Sequence, residues 1–209
     1  MRFVYNDVAG SSLDRLSALS DGVFAFAMTL LVLDLHVPRV DGIHSEHDLW
    51  LALLAIWPRF TTYLMSFMTL GIFWVGQQTQ LSFYDRVNRN YTWIQIGFLA
   101  VVAIVPFSTA LLSEFITYRI ALLVYWFNLL LLGSALFFGM AYAIRAGLTK
   151  EGMSDQLRTL FARRVLVSQG LYAFGALLCI FNTYWSIGFI ILVQLNYLLA
   201  PKIPVLRDV

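Results

Sequence analysis

Residues Arg15 to Leu35 read RLSALSDGVFAFAMTLLVLDL, a head of charge and hydroxyl groups running into an apolar stretch of membrane length. An ionisable group such as Asp21 is expensive to place in a bilayer-spanning helix, and so marks a functional or structural site. Four polar side chains, Arg15, Ser17, Ser20 and Asp21, fall within seven residues at the start of this stretch. They must satisfy one another or find partners on other helices.

The apolar character extends along the whole chain. Its 209 residues are 60% hydrophobic and 12% charged, with a mean hydropathy of +0.75, which excludes an ordinary soluble domain. About 20 apolar residues are needed to cross roughly 30 Å of hydrocarbon as a helix. Six stretches fit, at approximately 14–36, 49–80, 91–113, 118–144, 164–182 and 184–200. The expected fold is an all-α integral membrane protein, one six-helix transmembrane domain over residues 1–209. The first 13 residues, MRFVYNDVAGSSL, are mixed and polar, and the first apolar run has no obvious small-residue cleavage site, so the first helix is expected to be retained. The single cysteine, Cys179, falls in the fifth span and reads as a packing residue.

Placing the N-terminus inside puts most of the 14 basic residues on the cytoplasmic side, with Arg39 and Arg119 outside and Arg59 within the second span. The positive-inside rule then puts both termini in the cytoplasm, in a plasma membrane. A net charge of +2 calls for no nucleic-acid partner. Between Arg145 and Arg163, Leu157, Leu160 and Phe161 recur at helical spacing among charges, which predicts a short interfacial helix leading into the fifth span. Pro58 and Pro106 fall within the second and third spans and are expected to kink them. Trp50, Trp57, Trp93, Trp126 and Trp185 fall mostly near span ends, where amphipathic rings suit the headgroup region.

On a helix turning about 100° per residue, with Asp21 at zero, Gly22, Phe26, Thr29, Leu30 and Leu33 fall between about 80° and 180°. This row can pack against neighbouring helices or lipid, or line a symmetry axis. Periodicity alone favours packing against neighbours or lipid.

Three motifs carry a family resemblance. RLSALSDG (Arg15 to Gly22) at the head of the first span is followed by FWVGQQTQL (Phe73 to Leu81) and PFSTALLSEF (Pro106 to Phe115). Together they resemble prokaryotic members of the endosomal/lysosomal potassium channel family, the transmembrane protein 175 type. The resemblance is closest over the first three spans. It implies a homotetramer of six-helix subunits in the lipid bilayer, passing potassium and other monovalent cations along a central path lined by each first helix, without cofactor or catalytic cycle. It puts the constriction on Phe26, Leu30 and Leu33, with Thr29 where a hydroxyl is linked to potassium preference. A narrow apolar ring conducts poorly because it dewets, and hydroxyls replace an ion's hydration shell less completely than a carbonyl cage. Modest selectivity for potassium over sodium is therefore expected.

The sequence departs from that pattern at Leu19 in place of Phe, Gln77 in place of a frequent His, and Gln95 in place of Asn. An amide both donates and accepts hydrogen bonds. Gln77 and Gln95 are therefore expected to complete a network with Arg15, Ser20, Asp21 and Trp74, without the titratable histidine. Asp34, at the outer end of the first span, would ring a tetrameric axis and form a cation-attracting vestibule. His36, Asp41, His44, Glu46, His47 and Asp48 form a flexible polar stretch that reads as such a vestibule more readily than as a metal site. The rival reading is a proton- or ion-coupled secondary transporter working through Asp21 and Arg15. The chain has no detectable internal repeat of the kind that carriers often show, and no HExxH or GxSxG catalytic motif.

Overall fold

The computed structural model describes residues 12–39, 42–150 and 155–199. Seven α-helices account for most of them: α1 (Leu13–Leu31), α2 (Glu46–Ala55), α3 (Trp57–Ser82), α4 (Arg89–Glu114), α5 (Arg119–Arg145), α6 (Asp155–Leu177) and α7 (Thr183–Leu199). Short 3-10 turns at Val32–Asp34 and Leu178–Ile180 extend α1 and α6.

Polar residues stand where the helices begin. The Ser12 hydroxyl accepts from the Arg15 amide at 3.4 Å, Ser45 accepts from Asp48 N at 3.2 Å, and Asn88 Oδ1 accepts from Tyr91 N at 2.9 Å. Each satisfies an amide that has no partner inside its own helix, a contribution of about 1 kcal/mol.

The expected second span, 49–80, is two helices rather than one. α2 and α3 meet at 45° across Ile56. Pro58 has no N–H to give the Leu54 carbonyl, and its ring crowds that carbonyl, so the helix breaks there instead of bending smoothly. Proline is well tolerated in the first turn of the new helix, where that N–H would be unpaired anyway. Pro106 acts differently: α4 runs unbroken from Arg89 to Glu114. Just beyond it, the Ser108 and Thr109 hydroxyls turn back to donate to the Val105 carbonyl at 3.0 and 2.8 Å.

The separate interfacial helix expected before the fifth span does not form among the described residues. Leu157, Leu160 and Phe161 lie in the first two turns of α6, which continues without a break to Leu177. No proline or capping signal interrupts the helical pattern there, and Phe161 packs edge-on against Phe83 with ring centres 5.3 Å apart. Residues 151–154 lie outside the described residues.

Among the described residues, four helices can cross a membrane by length and composition: α1 with its 3-10 turn, α4, α5, and Gln156–Ile180; the bent pair α2–α3, taken as one span, makes five. α7 is apolar and 17 residues long, about 25 Å at 1.5 Å per residue and at the short end of the spanning range. α4 packs most extensively against α5, while α1 lies across α4 and α3; α6 lies on α5 and α7, and α7 returns to α3. Phe24, Met65, Phe98 and Leu129 are fully buried where these helices meet. A smaller apolar cluster at the other end gathers Leu16, Tyr84, Tyr91 and Met140. There the α3–α4 turn pairs with the segment after α5, through Asp85 N to Leu148 O at 3.0 Å and Lys150 N to Phe83 O at 2.9 Å. Gly147 makes that return possible with φ at +63°, a left-handed conformation that costs glycine no steric strain.

Candidate functional site

α1 has two unlike faces. Leu16, Ser20, Phe24, Ala27 and Leu31 are buried against α3 and α4. On another face Phe26 is 65% and Leu33 68% exposed, Thr29 is exposed, and Leu30 at the flank is half-buried. A side chain added at Gly22, on the same stripe, would meet nothing within 4 Å. Leu33 lies beyond the α-helix proper, in the 3-10 turn, where each residue turns about 120° instead of 100°. The Thr29 hydroxyl donates to the Phe26 carbonyl at 2.8 Å. Its hydrogen is thereby held within the helix and its oxygen lone pairs remain to accept.

On the packed side the head of α1 joins a chain of neutral hydrogen bonds. Ser20 Oγ donates to the Leu16 carbonyl at 2.9 Å and accepts from Gln77 Nε2 at 2.7 Å. Gln77 Nε2 also reaches Gln95 Oε1 at 3.3 Å, and Gln95 Nε2 donates to the Tyr91 hydroxyl. Ser20, Gln77, Gln95 and Tyr91 are all at most 1% exposed, so their mutual pairing offsets a desolvation cost that each would otherwise carry alone.

Asp21 belongs to a second, exposed group. One of its carboxylate oxygens accepts from Trp74 Nε1 at 2.8 Å and from Gln78 Nε2 at 2.6 Å, and Ser17 Oγ lies 3.4 Å from Gln78 Oε1. Arg15 is exposed and its guanidinium has no polar partner among the described residues. The structure thus brings Ser20, Gln77 and Gln95 together in one group and Asp21 with Trp74 in another, and leaves Arg15 outside both. Gln78 and Tyr91 were not among the sequence candidates. Gln78 was within reach of the pattern, because Trp74, Gln77 and Gln78 share one face of α3 at three- and four-residue spacing.

Asp34 is half-buried and accepts a hydrogen bond from the Ser113 hydroxyl, tying the outer end of α1 to α4. Nearby, Arg59 of α3 pairs with Glu114 of α4. Asp41 lies outside the described residues, and no group of three or more His, Cys, Asp or Glu is placed to hold a metal ion among those described.

A third polar cluster, invisible in the sequence, lies at the centre of the fold. The Thr109 and Ser66 hydroxyl oxygens are 2.7 Å apart, those of Ser66 and Tyr125 3.3 Å and those of Thr69 and Tyr125 2.9 Å, and Gln194 Nε2 donates to Thr69 at 2.6 Å. It ties α3, α4, α5 and α7 together through groups that are all buried. It also gives the Thr of the Pro-Phe-Ser-Thr motif a structural role.

The sequence model of the endosomal/lysosomal potassium channel TMEM175 matches residues 15–106, the stretch from the Arg of the first motif to the Pro of the third. Over that stretch the chain is similar to the TMEM175 family. A potassium channel of Streptomyces collinus is 45% identical over 102 residues, 49% of this chain and 48% of that protein. A potassium channel of a Chryseobacterium strain is 28% identical over 190 residues, 90% of this chain and 93% of the relative. The human endosomal/lysosomal proton channel TMEM175 is 32% identical over 109 residues, 50% of this chain and 22% of the human protein. The chain spans about half the length of the relatives it matches most strongly. The crystal structure of a lysosomal potassium-selective channel TMEM175 homolog from Chamaesiphon minutus superposes with a TM-score of 0.76 at 26% identity, over 91% of this chain and 98% of that one. The structural likeness therefore extends through α5, α6 and α7, beyond the end of the family match. These relatives are ion channels, not enzymes.

Proposed function

We propose that this chain forms a TMEM175-type, potassium-permeable cation channel, a homotetramer of six-span subunits in a prokaryotic plasma membrane with both termini cytoplasmic. α1 of each subunit faces the central axis, and Phe26, Thr29, Leu30 and Leu33 line an apolar constriction. The observation that carries this reading is the unpartnered stripe on α1: apolar side chains at Phe26 and Leu33, the Thr29 oxygen between them, and Gly22 at the same angle. Names of relatives from two bacteria, each a potassium channel, support the choice of ion.

Rings of this kind close by dewetting, so conduction requires α1 to rotate or move outward. The bonded groups around Ser20 and Asp21 fix the head of α1 against α3 and supply the pivot. The Asp34–Ser113 bond fixes its far end, leaving Asp34 beside the outer vestibule.

Flux and reversal potential in liposomes under opposed potassium and sodium gradients test the reading. Wild type is expected to pass a passive, potassium-favouring current. Phe26→Ala should raise flux several-fold by widening the ring, and Thr29→Val should shift the reversal potential toward equal permeability. Flux that saturates and needs a proton gradient would replace the channel with a coupled carrier, and currents unchanged in both variants would take α1 off the axis.

A further inference from the structure

α3, α5, α6 and α7 leave a partly open cavity of about 80 Å³, which α1 does not touch. Ile72, Leu136 and Val165 give it mostly apolar walls. Two glutamines point into it in the same way. Gln80 Nε2 donates to the Leu136 carbonyl at 3.3 Å, and Gln169 Nε2 donates to the Leu129 carbonyl at 3.4 Å. Each therefore spends its amide nitrogen on α5, and both amide oxygens are buried without a hydrogen-bond partner among the described residues. Gln80 is only 3% exposed. A buried carbonyl left bare is costly, and two in one cavity call for a ligand that brings donors.

Arg164 also lines the cavity, its guanidinium 5.8 Å from the centre of the Tyr197 ring. An adjoining hollow shares the Gln80 and Val165 walls and adds Arg158. A cationic donor is disfavoured beside these guanidiniums, whereas an anion is attracted. We propose that this cavity binds an anionic phospholipid whose headgroup carries free hydroxyls, with the phosphate at Arg164 and the hydroxyls donating to Gln80 Oε1 and Gln169 Oε1. The bilayer supplies that ligand in excess. Phosphate alone would leave both carbonyls bare, and a neutral alcohol would leave Arg164 unused.

The test is the unfolding temperature of purified, delipidated protein in detergent, with phosphatidylglycerol, phosphatidic acid or phosphatidylcholine added. Because it reads stability and not flux, it stands apart from the pore reading. Phosphatidylglycerol is expected to raise the midpoint by about 5 °C, phosphatidic acid by less, and phosphatidylcholine by nothing beyond its detergent-like background. Combining Gln80→Leu with Gln169→Leu should leave the lipid-free midpoint unchanged or higher, since a bare carbonyl is replaced by methyl groups, and should abolish the advantage of phosphatidylglycerol over phosphatidic acid. Arg164→Gln should abolish the advantage of both anionic lipids over phosphatidylcholine. Ser168→Phe, which fills the cavity from another lining position, provides the same readout if the double variant does not fold. Equal responses to all three lipids would mean that water alone occupies the cavity. Equal responses to the two anionic lipids would remove the hydroxyl contacts, and an undiminished phosphatidylglycerol response in the variants would place the lipid elsewhere; each of these results overturns the proposal.

Discussion

Gln77 connects three helices through one amide group. Its nitrogen serves both Ser20 on α1 and Gln95 on α4 while its backbone belongs to α3. Replacing it with leucine keeps the volume but strips Gln95 Oε1 of its donor; Ser20 keeps its bond to the Leu16 carbonyl. The bare Gln95 Oε1 costs about 1–3 kcal/mol, offset in part because Gln77 Oε1, itself buried without a partner among the described residues, is removed with it; a modestly lower unfolding midpoint in detergent is expected. An unchanged midpoint would mean the Gln95 amide finds another partner. At this scale the sequence tells which side chains are polar within a span, because burial makes every such group conspicuous against leucine and phenylalanine. It does not tell which pairs meet. Arg15 sits within two turns of Ser20 and Asp21 in the sequence pattern yet remains outside their bonds, while Gln78 enters through a contact with a residue 57 positions away in the chain. Such contacts depend on helix rotation, which a single amphipathic pattern fixes only loosely.

Between elements, α6 approaches α5 closely at Gly133. A Cβ there would stand 2.0 Å from Gln169 Nε2 and 2.4 Å from its Cδ. Gly133→Ala must therefore expel the Gln169 side chain from its bond with Leu129, at an expected cost of about 1–3 kcal/mol for overpacking. In a Gln169→Ala background the same change should cost almost nothing. A double-mutant cycle by chemical unfolding measures this coupling, and additive effects would show that the contact carries no energy. The helices themselves were largely legible, since each is a long apolar run and residues such as Ser12 and Asn88 mark their starts. Their joints were less so. Pro58 signalled a distortion, but whether a proline breaks a helix or rides within it depends on packing around the carbonyl it crowds; Pro58 ends one helix and Pro106 interrupts nothing. The α6 start was misread as an interfacial helix because charge marks a water boundary, which a helix can cross without ending.

For the molecule as a whole, the proposed pore needs the exposed stripe of α1 from several copies of the chain. Four copies of 23.8 kDa, about 95 kDa, should appear in native mass spectrometry of detergent-released protein; a monomer or dimer as the largest species would remove the central axis that the proposed pore requires. The sequence by itself determined that this is an all-helical membrane protein, because apolar runs of bilayer length leave the backbone no other way to satisfy its hydrogen bonds. It also carried, in three short motifs, the resemblance to the TMEM175 family. Only the tertiary structure decided which face of α1 is packed and which is bare, that the glutamines of α3 and α6 turn their oxygens into a common cavity, and that Thr109 joins a cluster shared by four helices. Those outcomes rest on contacts between residues 40 to 125 positions apart, where hydropathy, a property of single residues and their near neighbours, carries no information about partners.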